Sequence, residues 1–308
     1  MKKDLSIVIA TLNEEGNIAK LYKEISNSLK NTNLSWDLIF VDDNSNDKTI
    51  DEINLLREID KNILLIRRFN KRGLSSALLQ GALSSNSKYI LFMDADLQHN
   101  PKYIENLFSA ITTSDANLVS ASRFLKKQNF LNKKRYKASI IVNRILQKIT
   151  KLSFSDILTG YFIIEKKFLF ENFNKFSTTG FKILLDIILS TKKTIIYKEI
   201  SFDFEPRYKG NSKLNNKIII DFVYLILDKT LGKILPARYV IYSFVGLSGA
   251  ILQIVSFYIL YNILGFNLSL ALSIVIAMSI NFILNNEFTY SDLKLKGVNF
   301  FYWKNAIL

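Results

Sequence analysis

The sequence predicts an α/β fold, a mostly parallel sheet flanked by helices, followed by a C-terminal transmembrane helical hairpin. Three observations carry that reading. Short apolar runs alternate with amphipathic stretches through the first part of the chain, the pattern of β-α-β units. Acidic residues recur where those runs end, at Asp42-Asp43 and Asp94/Asp96, and open parallel sheets bind ligands beyond the carboxyl ends of their strands. From Tyr239 through Asn286 there is no Asp, Glu, Lys or Arg, although the 308-residue chain has a formal charge of +14.

The elements follow in order. "LSIVIATL" (5–12) reads as a buried strand, and Asn17 to Leu29 as a helix with Ile18, Leu21, Ile25 and Leu29 at helical spacing. "WDLIFVDD" (36–43) is a second strand, followed by a helix from about Lys48 to Ile59. "NILLIRR" (62–68) is a third strand, Gly73 precedes a helix to about Ser84, and "YILFMDAD" (89–96) is a fourth strand. Glu14, Asp42, Asp43, Asp94 and Asp96 thereby reach one rim of the sheet. Carboxylates gathered there repel one another unless a cation or a hydrogen-bonding ligand offsets them.

Composition removes several classes. The absence of Cys excludes disulfides and cysteine-ligated zinc, and the single histidine, His99, excludes a multi-histidine metal site. For His99, a hydrogen-bonding role in its loop outweighs that of a catalytic base. "MKKDLSIVIATLNEE" is interrupted by polar and acidic residues too early for a secretory signal, which keeps the N-terminal region in the cytoplasm. The positive charge suits lipid head groups and phosphates, with no nucleic-acid partner expected.

The second part reads as membrane-associated. A basic amphipathic helix of about 134–150 places Tyr136, Ile140, Asn143 and Ile149 along one side, with Lys137, Arg144 and Lys148 elsewhere, a pattern of interfacial helices. Residues 216–235 form a second, more apolar interfacial candidate. Residues 239–264 and 266–286 are each long enough to cross about 30 Å of hydrocarbon, with Gly265 turning between them. The expected division is a catalytic domain over 1–215, an interface helix over 216–235 and a membrane domain over 236–308. Both ends of the hairpin then face the side of the basic domain.

Asp-X-Asp at a strand end is a weak motif alone. Its weight comes from oxygen-rich company, which suits Mg²⁺ or Mn²⁺ held by one or two carboxylates plus substrate phosphates. In an extended chain Asp94, Asp96 and Gln98 fall on alternate positions facing one ion.

The blocks "ATLNEEGNI" (10–18), "VDDNSNDKT" (41–49), "RGLSSALLQG" (72–81), "MDADLQHNP" (93–101), "SASRF" (120–124), "DILTGYF" (156–162), "GFKILLDI" (180–187) and "PRYKGNSKL" (206–214) stand in one order. Together they resemble glycosyltransferase family 2, most of all its dolichol-phosphate mannose synthase branch, the polyprenyl-phosphate glycosyltransferases. Residues 236–308, with "NFILNNEFTY" (281–290), are similar to the start of the GtrA-like membrane domain that accompanies several of these enzymes. The resemblance implies a GT-A fold, a Rossmann-like sheet. It implies that Thr11, Leu12, Asn13, Glu14, Asp42 and Asp43 hold the donor's base and ribose. Asp94, Asp96 and Gln98 would hold Mg²⁺ or Mn²⁺ on its diphosphate, Arg207, Ser212 and Lys213 would reach the donor phosphates, and Arg123, Arg135 and Ser139 the lipid phosphate. Asp96, Arg123 and Arg135 are the residues on which catalysis would turn. Three departures stand out: Ala10 where relatives carry Pro, Phe162 where many carry Arg, and a membrane part of two spans before "KGVNFFYWKNAIL".

The implied activity is inverting, metal-dependent transfer of a hexose, mannose from GDP-mannose first, to dolichyl or polyprenyl phosphate, giving a β-linked sugar phosphate. The partners are then the nucleotide sugar, the lipid phosphate, the bilayer and a second copy of the chain as a homo-oligomer. The enzyme would sit in the cytoplasmic membrane with its catalytic domain on the cytoplasmic face. Alternatives are a UDP-glucose or amino-sugar transferase acting on undecaprenyl phosphate, and, from another class, a non-catalytic membrane lipid-carrier module. A processive synthase is disfavoured because no Gln-X-X-Arg-Trp motif is present.

Overall fold

Seven strands make one sheet among the residues described by the computed structural model, namely 3–69, 73–126, 133–177, 182–191, 194–206, 208–209, 216–232 and 234–290, without the side chains of 133–135, 138 and 216–219. They are β1 (Leu5–Thr11), β2 (Trp36–Asp42), β3 (Ile63–Arg67), β4 (Tyr89–Phe92), β5 (Leu118–Ser122), β6 (Phe162–Glu165) and β7 (Tyr197–Ser201), in the order β3-β2-β1-β4-β6-β5-β7. Every pairing is parallel except those of β6, which runs antiparallel to both β4 and β5. Six strands therefore end at one rim, and the seventh begins there.

All of β1 but Ala10 is buried, as expected of a central parallel strand covered on both faces. Leu5, Ile7 and Ile9 pack in a core with Ile18, Leu21 and Ile25 of α1 (Ile18–Leu29), Ile53 of α2 (Thr49–Ile59) and Ile104 and Leu107 of α4 (Ile104–Thr112). Val8 points the other way, because side chains alternate along a strand. It meets Gly81 of α3 (Leu74–Ser84), where a Cβ would overlap Val8 and lie 3.0 Å from Val41. Glycine is what lets α3 lie that close to the sheet.

The fourth strand is shorter than its sequence suggests. Met93 makes the last ladder contact, its N–H reaching the Val8 carbonyl at 3.4 Å. The Asp94 N–H turns instead to His99 Nδ1 at 3.0 Å, and Leu97 adopts φ 65°. Asp94, Asp96 and Gln98 thus lie on a turn, not on alternate positions of an extended chain.

The chain comprises two compact units, Met1–Leu214 and Asn215–Leu308. In the second unit, α8 (Asn216–Leu231) precedes α9 (Ala237–Leu284), which is broken at Gly265 with φ 70°, ψ 178°. Its two arms double back on one another. The Arg238 guanidinium lies 5.6 Å from the Tyr290 ring, a Cβ on Gly249 would overlap the Asn281 amide, and Phe257 lies 5.7 Å from Phe266. A straight helix would hold Arg238 and Tyr290 about 78 Å apart. Val245, Gly249, Ser269, Ser273 and Ala277 are buried in this hairpin, while Tyr258 (69%) and Ile263 (76%) are exposed. A hairpin without charge from Tyr239 to Asn286 and with apolar side chains outward suits lipid.

Gly81→Ala is expected to destabilise the detergent-solubilised chain by about 1–3 kcal/mol, read as a lowered thermal midpoint; an unchanged midpoint would mean that α3 can move away from β1 and β2 at no cost.

Candidate active site

The loops after β1 and β2 are built as one piece. Asn13 and Asn44 take φ 53° and 61°, conformations that Asn tolerates. The Asn13 N–H donates to Ser45 Oγ at 2.8 Å, and the Asn46 N–H donates to Asn13 Oδ1 at 2.9 Å. Asp42 is wholly buried and accepts from Thr11 Oγ1 (2.8 Å), Ser45 Oγ (2.6 Å) and the Ser45 N–H (2.8 Å). Leu12 and Glu14 are half-buried on the same rim, and the Glu14 carboxylate accepts from Asn17 Nδ2 at 2.8 Å.

The charge of the Asp42-Asp43 pair is settled inside the protein, contrary to the expectation that an ion or ligand must offset it. Asp43 accepts from Arg68 Nε at 2.6 Å and from the Gly73 N–H at 2.7 Å. Arg68 also donates to Ser76 Oγ (2.8 Å) and the Gly73 carbonyl (3.0 Å). Both partners are over nine-tenths buried. The two acids therefore shape the floor of the rim, a function that the spacing of the motif alone does not reveal.

The turn after β4 carries the more open acid. The Asp94 side chain is 42% exposed, and its carboxylate accepts no hydrogen bond from the described residues. Asp96 is buried and its Oδ1 accepts the Gln98 N–H at 3.1 Å. Gln98 Nε2 donates to the Glu205 carbonyl at 3.3 Å, so Gln98 is engaged in holding the neighbouring segment. That segment runs past the turn, with the Glu205 and Tyr208 N–H groups on the Gln98 and Asp96 carbonyls, both at 3.3 Å. Tyr208 in turn lies under Lys20 at 3.5 Å. Arg207, Ser212 and Lys213 fall outside the described residues.

His99 fixes this turn. It is buried, stacked on Tyr161 with 5.0 Å between centroids, and burial holds its pKa below the usual value. Nδ1 accepts the Asp94 N–H, which puts the proton on Nε2. The 3.7 Å approach of Nδ1 to Asp94 Oδ2 is therefore contact with a neutral ring. A Cβ on Gly160 would sit 3.3 Å from His99 Cε1 and 3.5 Å from Asp94 Oδ1, so glycine keeps the space beside the open carboxylate clear.

The antiparallel strand brings the opposite charge. Arg123 follows β5, and Asp156 lies in the loop that leads into β6. Arg123 Nε and Nη2 donate to Asp156 Oδ2 (2.7 Å) and Oδ1 (2.9 Å), a bidentate pair around a fully buried carboxylate. Burial works against the Arg123 charge, but the hydrogen bonds and charge of Asp156, with Asp94 adding to them, raise its pKa. The guanidinium lies 5.2 Å from the Phe204 ring. Lys182, which follows α6 (Lys166–Phe170) in the chain and directly precedes α7 (Ile183–Ser190), also faces this centre. Its Nζ donates to the Leu158 carbonyl at 3.0 Å, and burial, followed by Arg123, lowers its pKa. The block "GFKILLDI" contained Lys182, but apolar neighbours on both sides gave no sign of a site residue.

On α5 (Lys133–Thr150), Asn143 and Leu146 are buried, and Tyr136, Ile140 and Ile149 are half-buried on the same inward side. The outward side carries Ile141 (58%) and Ile145 (52%) among exposed Lys137, Arg144 and Lys148. The Tyr136 ring lies 5.6 Å from that of Phe124, tilted by 43°, which brings the start of α5 to Arg123. Ser139 is half-buried on α5, and the side chain of Arg135 lies outside the described residues.

No group of three or more His, Cys, Asp or Glu able to hold a metal occurs among the described residues. Asp94 with Asp96 still suits a hard ion, because Mg²⁺ commonly takes one or two carboxylates and completes its shell with phosphate oxygens and water.

The family model for glycosyl transferase family 2 matches residues 6–173. The chain belongs to this family. A second model, for the GtrA/DPMS transmembrane domain, matches residues 241–307, which makes this family member a membrane protein. It is 33% identical over 300 residues to a dolichol-phosphate mannosyltransferase of Pyrococcus furiosus, covering 94% of this chain and 82% of that one. It is 31% identical over 234 residues to a dolichol-phosphate mannosyltransferase of Saccharomyces cerevisiae, covering 72% of this chain and 85% of that one. Among solved structures, a glucosyl-3-phosphoglycerate synthase of Mycobacterium tuberculosis, in complex with Mn²⁺, UDP-glucose and glycerol 3-phosphate, superposes with a TM-score of 0.55 at 16% identity. That likeness covers 74% of this chain and 80% of the other and establishes the GT-A fold. The glycosyltransferase thus has the expected sheet and hairpin.

Arg68→Met in this glycosyltransferase leaves Asp43 buried without its cation and is expected to cost about 3–5 kcal/mol. Adding Asp43→Asn should recover most of that loss in thermal unfolding, and an additive further loss would contradict the pairing argument.

Proposed function

We propose that the chain transfers a hexose, mannose from GDP-mannose, to the phosphate of a polyprenyl or dolichyl lipid. The observation that carries this is the pairing of an open acid and a fixed cation at one rim: Asp94, unbonded on its turn, and Arg123, clamped by Asp156. The two relatives named dolichol-phosphate mannosyltransferase support a mannosyl group and a dolichol-phosphate acceptor.

In this reading Thr11, Leu12, Asn13 and Glu14 line the pocket of the base and ribose, on a floor held by Asp42 and Asp43. When bound by Asp94 and Asp96, with Gln98 beside them, Mg²⁺ or Mn²⁺ supplies charge neutralisation for the leaving diphosphate. Arg207, Ser212 and Lys213 contribute further positive charge and hydrogen bonds to the donor phosphates, a role that rests on their motif. Arg123, Arg135 and Ser139 hold the acceptor phosphate.

A lipid monophosphate has a second pKa of about 6, so it arrives largely as a dianion and needs no strong base. That matches a centre whose one histidine is buried with Nδ1 engaged. The protein's task is alignment and electrostatics. A phosphate oxygen forms the new bond to the anomeric carbon as the bond to the nucleoside diphosphate breaks, and a single displacement on an α-linked donor yields a β-linked product. The outward side of α5, with two isoleucines among three cations, would lie against anionic head groups. Both arms of α9 would cross the bilayer, with the basic unit on the cytoplasmic face.

The test is product identification. The full chain in detergent with Mn²⁺ and a short polyprenyl phosphate is expected to give a glycolipid from GDP-mannose and none from UDP-glucose or UDP-N-acetylglucosamine. Chelation with EDTA should stop the reaction and Mn²⁺ should restore it. Asp94→Ala should lower kcat by about 10²–10³. Product from a UDP-sugar alone would replace the donor, and undiminished turnover by Asp94→Ala would remove the site.

A further inference from the structure

Three consecutive backbone N–H groups in the loop before β6 are capped by side chains from two distant elements. Glu199 of β7 accepts from the Ser155 N–H (2.8 Å), from Ser155 Oγ (3.0 Å) and from the Asp156 N–H (3.3 Å). Asn143 of α5 accepts the next one, from Ile157, at 3.0 Å. Burial raises the Glu199 pKa while these donors act in the opposite direction. Ser155 Oγ also meets Ser122 Oγ at 2.5 Å, at the end of β5.

The same loop holds Asp156, whose two oxygens are taken up by Arg123. One short segment therefore ties β7, α5 and the residue after β5 together. A half-buried carboxylate that receives three donors is costly to assemble and rigid once assembled, and rigidity is what a phosphate-holding cation needs.

We propose that Glu199 and Asn143 are positioning residues for the acceptor-phosphate site: by clamping residues 155–157 they fix Asp156, and through it the Arg123 guanidinium, against α5. This rests on the reading of Arg123 as a ligand of the acceptor phosphate. Neither residue touches the reacting atoms. Their effect is confined to how the acceptor is held, and the donor side, built on the loops after β1, β2 and β4, is independent of them.

The test is a double-mutant cycle on the full chain in detergent, assayed with GDP-mannose and a short polyprenyl phosphate. Glu199→Met, of similar size and without an acceptor oxygen, is expected to raise the acceptor KM about ten-fold with the donor KM unchanged. Glu199→Gln retains one acceptor and should show a smaller rise. In an Arg123→Ala background, which itself raises the acceptor KM, adding Glu199→Met should change nothing further, because the two act through one group. Should Glu199→Met fail to fold, Glu199→Gln and Ser155→Ala carry the same cycle. Equal changes in donor and acceptor KM, or additivity with Arg123→Ala, would overturn the positioning role. An acceptor KM untouched by Arg123→Ala would instead overturn the assignment of Arg123 itself.

Discussion

Six parallel strands that end at one rim, with a seventh inserted against them, form the constraint on which the site depends. Parallel strands deliver only their carboxyl ends to that rim, which yields the loops with Asn13, Asp43, Asp94 and Arg123. The reversed β6 adds the loop that precedes a strand, and that loop carries Asp156, Gly160 and Tyr161. Without the reversal Asp156 would sit at the other end of the sheet, and Arg123 would lose the carboxylate that orients it. The topology thus decides which charges meet.

Charge at the rim is then partitioned by burial. Asp43 and Asp156 are buried, and each is matched by an arginine, Arg68 and Arg123. Unpaired buried carboxylates would be costly, so these pairs account for two of the acids without any ligand. Asp94 is left as the acid that is both exposed and unbonded to the described residues. Arg123 keeps one side toward Phe204 and the influence of Asp94. Opposite charges that are held apart by separate clamps can act on a ligand placed between them.

Much of this was legible in the sequence. The helical spacing of Ile18, Leu21, Ile25 and Leu29 places all four in the core, and the uncharged stretch interrupted by Gly265 becomes the hairpin. Strand order and the reversal of β6 were not legible, because a short apolar run such as "FIIE" carries no sign of direction. The sequence overextends β4 because Ala95 and Leu97 are buried although the ladder ends at Met93, so hydropathy continues past the hydrogen bonds. The Arg68–Asp43 and Glu199–Ser155 contacts join residues 25 and 44 positions apart, and no local pattern encodes such partners. Lys182 was missed for the same reason: its relevance arises from Arg123 and Asp94, which lie far away in the chain.

The central claim is that the open carboxylate after β4 gathers a nucleoside diphosphate together with a divalent ion at the rim. Calorimetric titration of GDP into the detergent-solubilised full chain tests this without reference to turnover. The account predicts GDP binding with Mn²⁺ present, binding at least ten-fold weaker without it, and loss of that metal dependence in Asp94→Asn. Equal GDP affinity with and without Mn²⁺ in the unmutated chain would contradict it.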